Sequence, residues 1–170
     1  MGLPAALTVI GEVRTGYADT EGTPIQAGLN RAERAVIDIA EPYRDGLDGL
    51  AGFGYAWLLT WLDRPHEEAP PPLRLVPFLL RHQQRKVGVF ATRSPRRVNP
   101  IGLSLVHVLA VEDRSVRFGG VDLLDGTPVI DLKPYVTRFD RPDGEPRFGW
   151  FDTVEIRDGV TPVDLGPPQA

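Results

Sequence analysis

The sequence contains no cysteine. Disulfides and thiolate metal sites are therefore excluded, and nothing in the composition points to secretion. Lysine is nearly absent: Lys86 and Lys133 stand against 17 arginines. Aromatic residues make up only 8% of the chain, and no apolar run reaches the roughly 18 residues that a membrane-spanning helix needs. No membrane partner is expected. The opening "MGLPAALTVIGEVRTG" lacks a basic leader and soon turns polar, so it reads as a strand rather than a signal peptide. Its sixth position is Ala6, where a myristoylation site carries Ser or Thr. The expected location is the cytoplasm. Several catalytic signatures are missing as well. There is no G-x-x-x-x-G-K-[ST], no G-x-G-x-x-G after a strand and no G-x-S-x-G, which argues against a P-loop, a Rossmann cofactor site and a nucleophile elbow. His66, His82 and His107 lack H-x-x-H or H-x-x-x-H spacing, so they read as structural and no metal is expected.

What is present fits one domain of 170 residues, long enough to bury a core. Its 18 glycines and 17 prolines make long helices untenable, because an interior proline costs a helix about 3 kcal/mol and a glycine about 1. Short strands and turns tolerate them. Strands are predicted over Leu7–Gly16, the end of Arg31–Ala40, Tyr55–Asp63, Leu73–Leu80, Lys86–Thr92, Ile101–Asp113, Arg114–Gly120 and the end of Leu123–Tyr135. One short helical turn is predicted within Glu41–Gly54, and a further strand at "FGWFDTVEI". The expected fold is mainly β, a small single-domain barrel with short helical turns. Residues 1–137 are expected to form the barrel domain, and 138–170 a C-terminal strand and tail that complete it.

Charge is the least evenly distributed feature. From Ala69 to Val111 there is no Asp or Glu, while Arg74, Arg81, Arg85, Lys86, Arg93, Arg96 and Arg97 all fall there. The chain as a whole is acidic, with a net charge of −4. A strongly positive region on an acidic protein points to an anion site, for a phosphate, a carboxylate or nucleic acid.

Two stretches concentrate the chemistry. In "TRSPRRVNPIG", Pro95 and Pro100 restrict the backbone around Arg93, Arg96 and Arg97, and Asn99 occupies a favoured turn position. Guanidinium forks held this way suit a carboxylate or a phosphate. In "GGVDLLDGTPVIDLKPY", Asp122, Asp125 and Asp131 recur behind two glycines. Asp125-Gly126 is a common turn pair. Asp131 and Lys133 share one strand face, either as an exposed ion pair or as the lining of a pocket.

Together, "GVFATRSPRRVNPIGLSLV" (Gly88–Val106) and "VDLLDGTPVIDLKPY" (Val121–Tyr135) resemble the TsaA-like, or TrmO, family. The likeness runs from "IGEVRTGY" through "LDGLAGFGYAWLLTWLD" to "DLKPY". It implies a small β-barrel, a homodimer, and a methyltransferase that uses S-adenosyl-L-methionine. The family's best-known activity methylates N6 of threonylcarbamoyladenosine beside the tRNA anticodon. By matched position, the resemblance implies cofactor contacts at Gln26, Ala27, Gly28, Leu29, Asp63, Arg64, Arg93, Leu103, Gly119, Gly120, Val121 and Asp122. Asp131 and Tyr135 are expected to contact the acceptor, with Lys133 and Arg97 holding an anionic group on it. Arg96 and Asn99 join these as expected substrate contacts.

The chain also departs from the family pattern. Ile25 stands where an arginine is usual, Val98 where a proline is usual, and Tyr55 where a histidine is usual. Many bacterial members carry a C-terminal extension that helps with tRNA, and this sequence ends near the barrel. The first expected acceptor is tRNA, met through the basic segment. The lost arginine and Tyr55 favour an alternative, a small-molecule acceptor. A third reading is a non-catalytic S-adenosylmethionine-binding protein.

Overall fold

A computed structural model describes residues 6–62 and 70–165. The expected abundance of short strands is met by β1 (Gly11–Arg14), β2 (Arg34–Ile39), β3 (Tyr55–Trp61), β4 (Arg74–Leu75), β5 (Val87–Gly88), β6 (Ile101–Glu112), β7 (Ser115–Gly119) and β8 (Pro128–Pro134). Six of them close a barrel in the order β1-β2-β7-β6-β3-β8, with antiparallel neighbours and β8 returning to β1. β4 and β5 form a separate two-stranded sheet.

The barrel follows from side-chain alternation. Val13, Ile37, Ile39, Ala56, Leu58, Val106, Val116, Phe118 and Val129 point inward and are buried. Burying each larger apolar side chain contributes about 1.5–3 kcal/mol. Eight strands leave a barrel interior just wide enough to be filled by side chains, and six leave less. The interior is therefore all core, and any site must lie outside it. The registers Tyr55↔His107, Trp57↔Leu105 and Leu59↔Leu103 align the outward residues of β3 and β6. Trp57↔Lys133 and Leu59↔Asp131 extend that outer face onto β8. Irregularities between Leu59 and Thr60 on β3, and between Val108 and Ala110 on β6, bend these strands around the barrel.

Three elements differ from expectation. Within Leu73–Leu80 only Arg74–Leu75 pairs with β5. Pro77, which has no N–H to give a ladder, caps a 3-10 turn at Phe78–Gln83. The helical stretch after β2 is two 3-10 turns, Glu41–Leu47 and Leu50–Gly52, interrupted by Gly49 in the left-handed region. The strand expected at "FGWFDTVEI" is a 3-10 turn, Gly149–Thr153, and residues 138–165 hold no strand. Gly149 is left-handed at φ 62° there, which breaks the extended backbone a strand requires. The barrel closes without this segment, through β1 and β8.

Candidate active site

A cleft of about 980 Å³ opens on the outer surface of the barrel, over β6 and the end of β7. Four stretches distant in sequence meet there. The first is the 3-10 turn Ala27–Leu29 with Gln26 before it. The Asn30 side-chain amide fixes this turn by donating to the Tyr17 hydroxyl at 2.9 Å and to the Val121 carbonyl at 2.8 Å. The second is Arg93, whose guanidinium donates to the Leu103 carbonyl at 3.2 Å. The third is the outer face of β6, with Leu103, Leu105 and His107. The fourth is the Gly119–Gly120–Asp122 stretch leaving β7. Gly120 sits at φ 84°, and a Cβ there would lie 3.3 Å from the Ala27 carbonyl oxygen. Glycine alone lets the two walls approach this closely without strain.

Asp122 is the cleft's most constrained charge. Although the residue keeps some solvent-facing surface, its carboxyl group is enclosed, and burial pushes it above the usual carboxylate range. The Ser104 hydroxyl donates to it at 2.7 Å. The backbone amides of Ala27 and of Asp122 itself, and the Arg93 charge, pull in the opposite direction without overcoming burial. An aromatic wall faces this corner. Tyr55 stacks on His107 at 4.9 Å, and Trp57 meets Tyr135 edge-on at 5.8 Å. Phe148, Phe151, Asp152 and Ile156 add lining from the C-terminal segment. That segment is anchored where the Trp150 indole N–H donates to the Ala91 carbonyl at 2.7 Å.

Of the residues expected to contact a cofactor, Gln26, Ala27, Gly28, Leu29, Arg93, Leu103, Gly119, Gly120 and Asp122 line this one cleft. Val121 does not line it: the side chain is fully buried in the core, and only its carbonyl serves the site, through Asn30. Asp63 and Arg64 lie outside the described residues. Tyr135 adjoins the cleft through Trp57. Asp131 and Lys133 sit beyond it on β8, as an exposed ion pair with Nζ 2.7 Å from Oδ2. Asp131 also accepts the Leu132 amide at 2.8 Å.

The arginine cluster has three destinations. Arg93 faces the cleft and Arg96 faces a neighbouring cavity. Arg97 turns back to donate to the Thr92 carbonyl at 3.3 Å. Local turns impose this: Ser94 N–H bonds the Thr92 hydroxyl, and Arg96 N–H bonds the Ser94 hydroxyl, each at 3.2 Å. Asn99 is exposed in the turn before β6, where its carbonyl accepts the Ile101 amide at 2.8 Å.

Sequence reasoning missed Tyr55, Trp57, Leu105 and His107 as lining residues, and read His107 as structural. Their signal was parity: each alternates with a core residue on β3 or β6. The C-terminal contribution had no such signal.

The profile of the tRNA-methyltransferase O N-terminal domain matches residues 12–141. A "Probable S-adenosyl-L-methionine-binding protein" of Archaeoglobus fulgidus is 37% identical over 155 residues, covering 91% of this chain and 40% of that protein. The "tRNA (adenine(37)-N6)-methyltransferase" of Escherichia coli K12 is 36% identical over 133 residues, covering 75% of this chain and 56% of that protein. The crystal structure of TrmO from Pseudomonas aeruginosa superposes with a TM-score of 0.73 at 31% identity, covering 91% of this chain and 66% of that one. The chain thus spans between about two fifths and two thirds of the length of these three relatives. It belongs to the tRNA-methyltransferase O family.

Proposed function

We propose that this member of the family is an S-adenosyl-L-methionine-dependent methyltransferase that modifies N6 of adenosine 37 in tRNA, in its threonylcarbamoyl form. The observation that carries the reading is convergence. Gln26–Leu29, Arg93, Leu103 and Gly119–Asp122, named from the sequence and its family likeness, share one cleft, apart from the buried Val121 side chain. The activity for which the E. coli relative is named suggests the acceptor.

The cleft suits the cofactor chemically. Its volume of about 980 Å³ is at the upper end of ordinary ligand sites, room enough for a nucleoside with an amino-acid tail. Gly119 and Gly120 leave backbone rather than side chain facing the ligand, and Gly28 does the same across the gap. Arg93 suits the ligand carboxylate, and Asp122 a hydroxyl or the amino group. The ring faces of Tyr55 and Trp57 suit a sulfonium, a contact worth about 0.5–2 kcal/mol. When bound, S-adenosylmethionine supplies a methyl carbon activated by its positive sulfur.

The residues of the chain do the rest. Trp57 and Tyr135 orient the acceptor ring at the cleft mouth, which meets the main demand of an in-line transfer. An acceptor that extends past the cleft onto β8 meets Lys133 through its threonyl carboxylate, and Asp131, released from its 2.7 Å ion pair with Lys133, takes the proton lost by the acceptor nitrogen. The chain acts as a homodimer, supported by Ile101 and Leu109, apolar residues of β6 that lie outside the cleft lining and remain 41–42% exposed.

One observation favours a second reading. The Tyr55–His107 stack, at a position where the family usually has histidine, narrows the rim with two rings and would suit a smaller acceptor. Methyl transfer from labelled S-adenosylmethionine separates these readings. Label entering tRNA that carries threonylcarbamoyladenosine, and not tRNA lacking it, is the expected result. No label in either, with cofactor binding intact, moves the acceptor to a metabolite. Binding without transfer to any acceptor would leave only a cofactor-binding protein.

A further inference from the structure

A second cavity of about 540 Å³ adjoins the cleft and shares Gln26, Arg93 and Phe151 with it. Its described lining contains five cations, Arg74, Arg81, Lys86, Arg93 and Arg96, and no Asp or Glu. On a chain of net charge −4, that concentrates positive potential in one concavity. The fold builds this cavity. The sheet of β4 and β5 brings Arg74 opposite Gly88, close to Lys86, and the Val89 amide closes it onto the Leu73 carbonyl at 2.9 Å. Arg81 is held over the Phe78 ring at 4.4 Å. Among the described residues, neither the Arg74 guanidinium nor the Lys86 ammonium has an ion-pair or hydrogen-bond partner.

The same cavity also has aromatic lining, from Trp150 and Phe151. Trp150 stacks on Phe151 with centroids 3.8 Å apart, and its N–H is already bonded to the Ala91 carbonyl. A fixed ring beside unpaired cations matches a nucleotide, whose base stacks while its phosphate meets the cations. Gln26, Arg93 and Phe151 line both cavities, and this adjacency lets a strand with one base at the cleft lay its neighbour in the second cavity. A small metabolite acceptor would have no second half to place there.

We propose that this second cavity binds the nucleotide flanking the acceptor base in single-stranded RNA, its base against Trp150 and its phosphodiester on Arg74 and Lys86. The choice of RNA over other polyanions rests on reading the acceptor as tRNA.

The test uses the full chain, a fluorescein-labelled single-stranded RNA of anticodon-loop sequence, and the double variant Arg74→Gln/Lys86→Gln. Both positions are exposed, so the fold is expected to survive. The variant should bind the RNA about tenfold or more weakly. Its log–log salt dependence should be shallower by about 0.7, as the loss of one neutralised phosphate on single-stranded RNA requires. S-adenosylmethionine affinity should not change. Trp150→Phe, which keeps a ring, should weaken RNA binding less than Trp150→Ala. Equal RNA affinity and salt slope in wild type and double variant, or no binding by wild type, would overturn the proposal. Heparin bound as tightly as RNA and indifferent to Trp150→Ala would also overturn it, in favour of a general anion patch. Methyl transfer to tRNA by the same preparations tests the acceptor separately: the cavity can fail while wild-type transfer stands, and transfer can fail while RNA binding stands.

Discussion

Alternate residues of β6 face two different environments. Ser104, Val106 and Val108 point into the barrel and are buried, whereas Leu103, Leu105 and His107 open onto the cleft. The inner face meets Val116 and Phe118 of β7 in the buried hydrophobic core. The outer face is partly apolar and flanked by loops, and it acquires a cavity because the turn at Ala27–Leu29, the arginine loop and the C-terminal segment add lining around it. Stability and chemistry are therefore assigned by residue parity on shared strands. Ser104 links the faces: buried on the inner side, it also lines the cleft and donates its hydroxyl to the Asp122 carboxylate.

That division is open to attack from either side. The largest effect should come from the inner face. Phe118→Ala removes a fully buried ring and should cost about 3–5 kcal/mol of stability by chemical denaturation. The fraction that remains folded should bind S-adenosylmethionine normally, and a proportionate loss of affinity would show that the faces are not separable. On the outer sheet, Asp131→Ala should lower turnover about a hundredfold, the scale of a lost general base, while cofactor affinity holds. Equal loss of both would remove Asp131 from the acceptor side.

Asp122→Asn sharpens the comparison, since it should weaken cofactor binding about tenfold, the scale of a hydrogen bond to a charged group, while strengthening the fold. Burial raises the carboxyl's folded-state pKa above its unfolded value. Below the unfolded value both states are protonated, and the enclosed group carries no charge. As pH rises through the folded value the native state must hold a buried charge, and stability is lost. The variant should thus be more stable than wild type at neutral pH, with the two converging in acid. Denaturation midpoints across pH check the sign. The smallest effect belongs to the exposed pair: Lys133→Ala should change stability by less than about 1 kcal/mol, because Asp131 and Lys133 are both substantially solvated. Any sizeable change would give the pair a structural role that its exposure does not explain.

Much of the barrel was legible from alternation, because inward Val, Ile and Leu at every second position leave few other arrangements. That Arg93, Leu103, Gly119, Gly120 and Asp122 belong together was legible through two long motifs, whose glycines and prolines prescribe backbone paths. The fate of the arginines was not. Arg93, Arg96 and Arg97 look equivalent in "TRSPRR", and the Thr92 and Ser94 hydroxyl turns send them to different places. The C-terminal segment was misread as a strand because its position depends on Trp150 reaching Ala91, 59 residues earlier. No local pattern encodes such a contact. His107 was set aside for want of metal or triad spacing, although its role in the cleft needs only a ring at the right parity, beside Tyr55.

The central claim is that the outer face of β6, and not the barrel interior, holds the cofactor. A crystal structure with S-adenosylhomocysteine tests it most directly. The account predicts density between Ala27–Leu29 and Gly119–Asp122, with the carboxylate toward Arg93 and the Asp122 carboxylate within hydrogen-bond reach of the ligand. Density confined to the cavity beside Trp150, or anywhere that leaves Asp122 and Gly120 untouched, would contradict it.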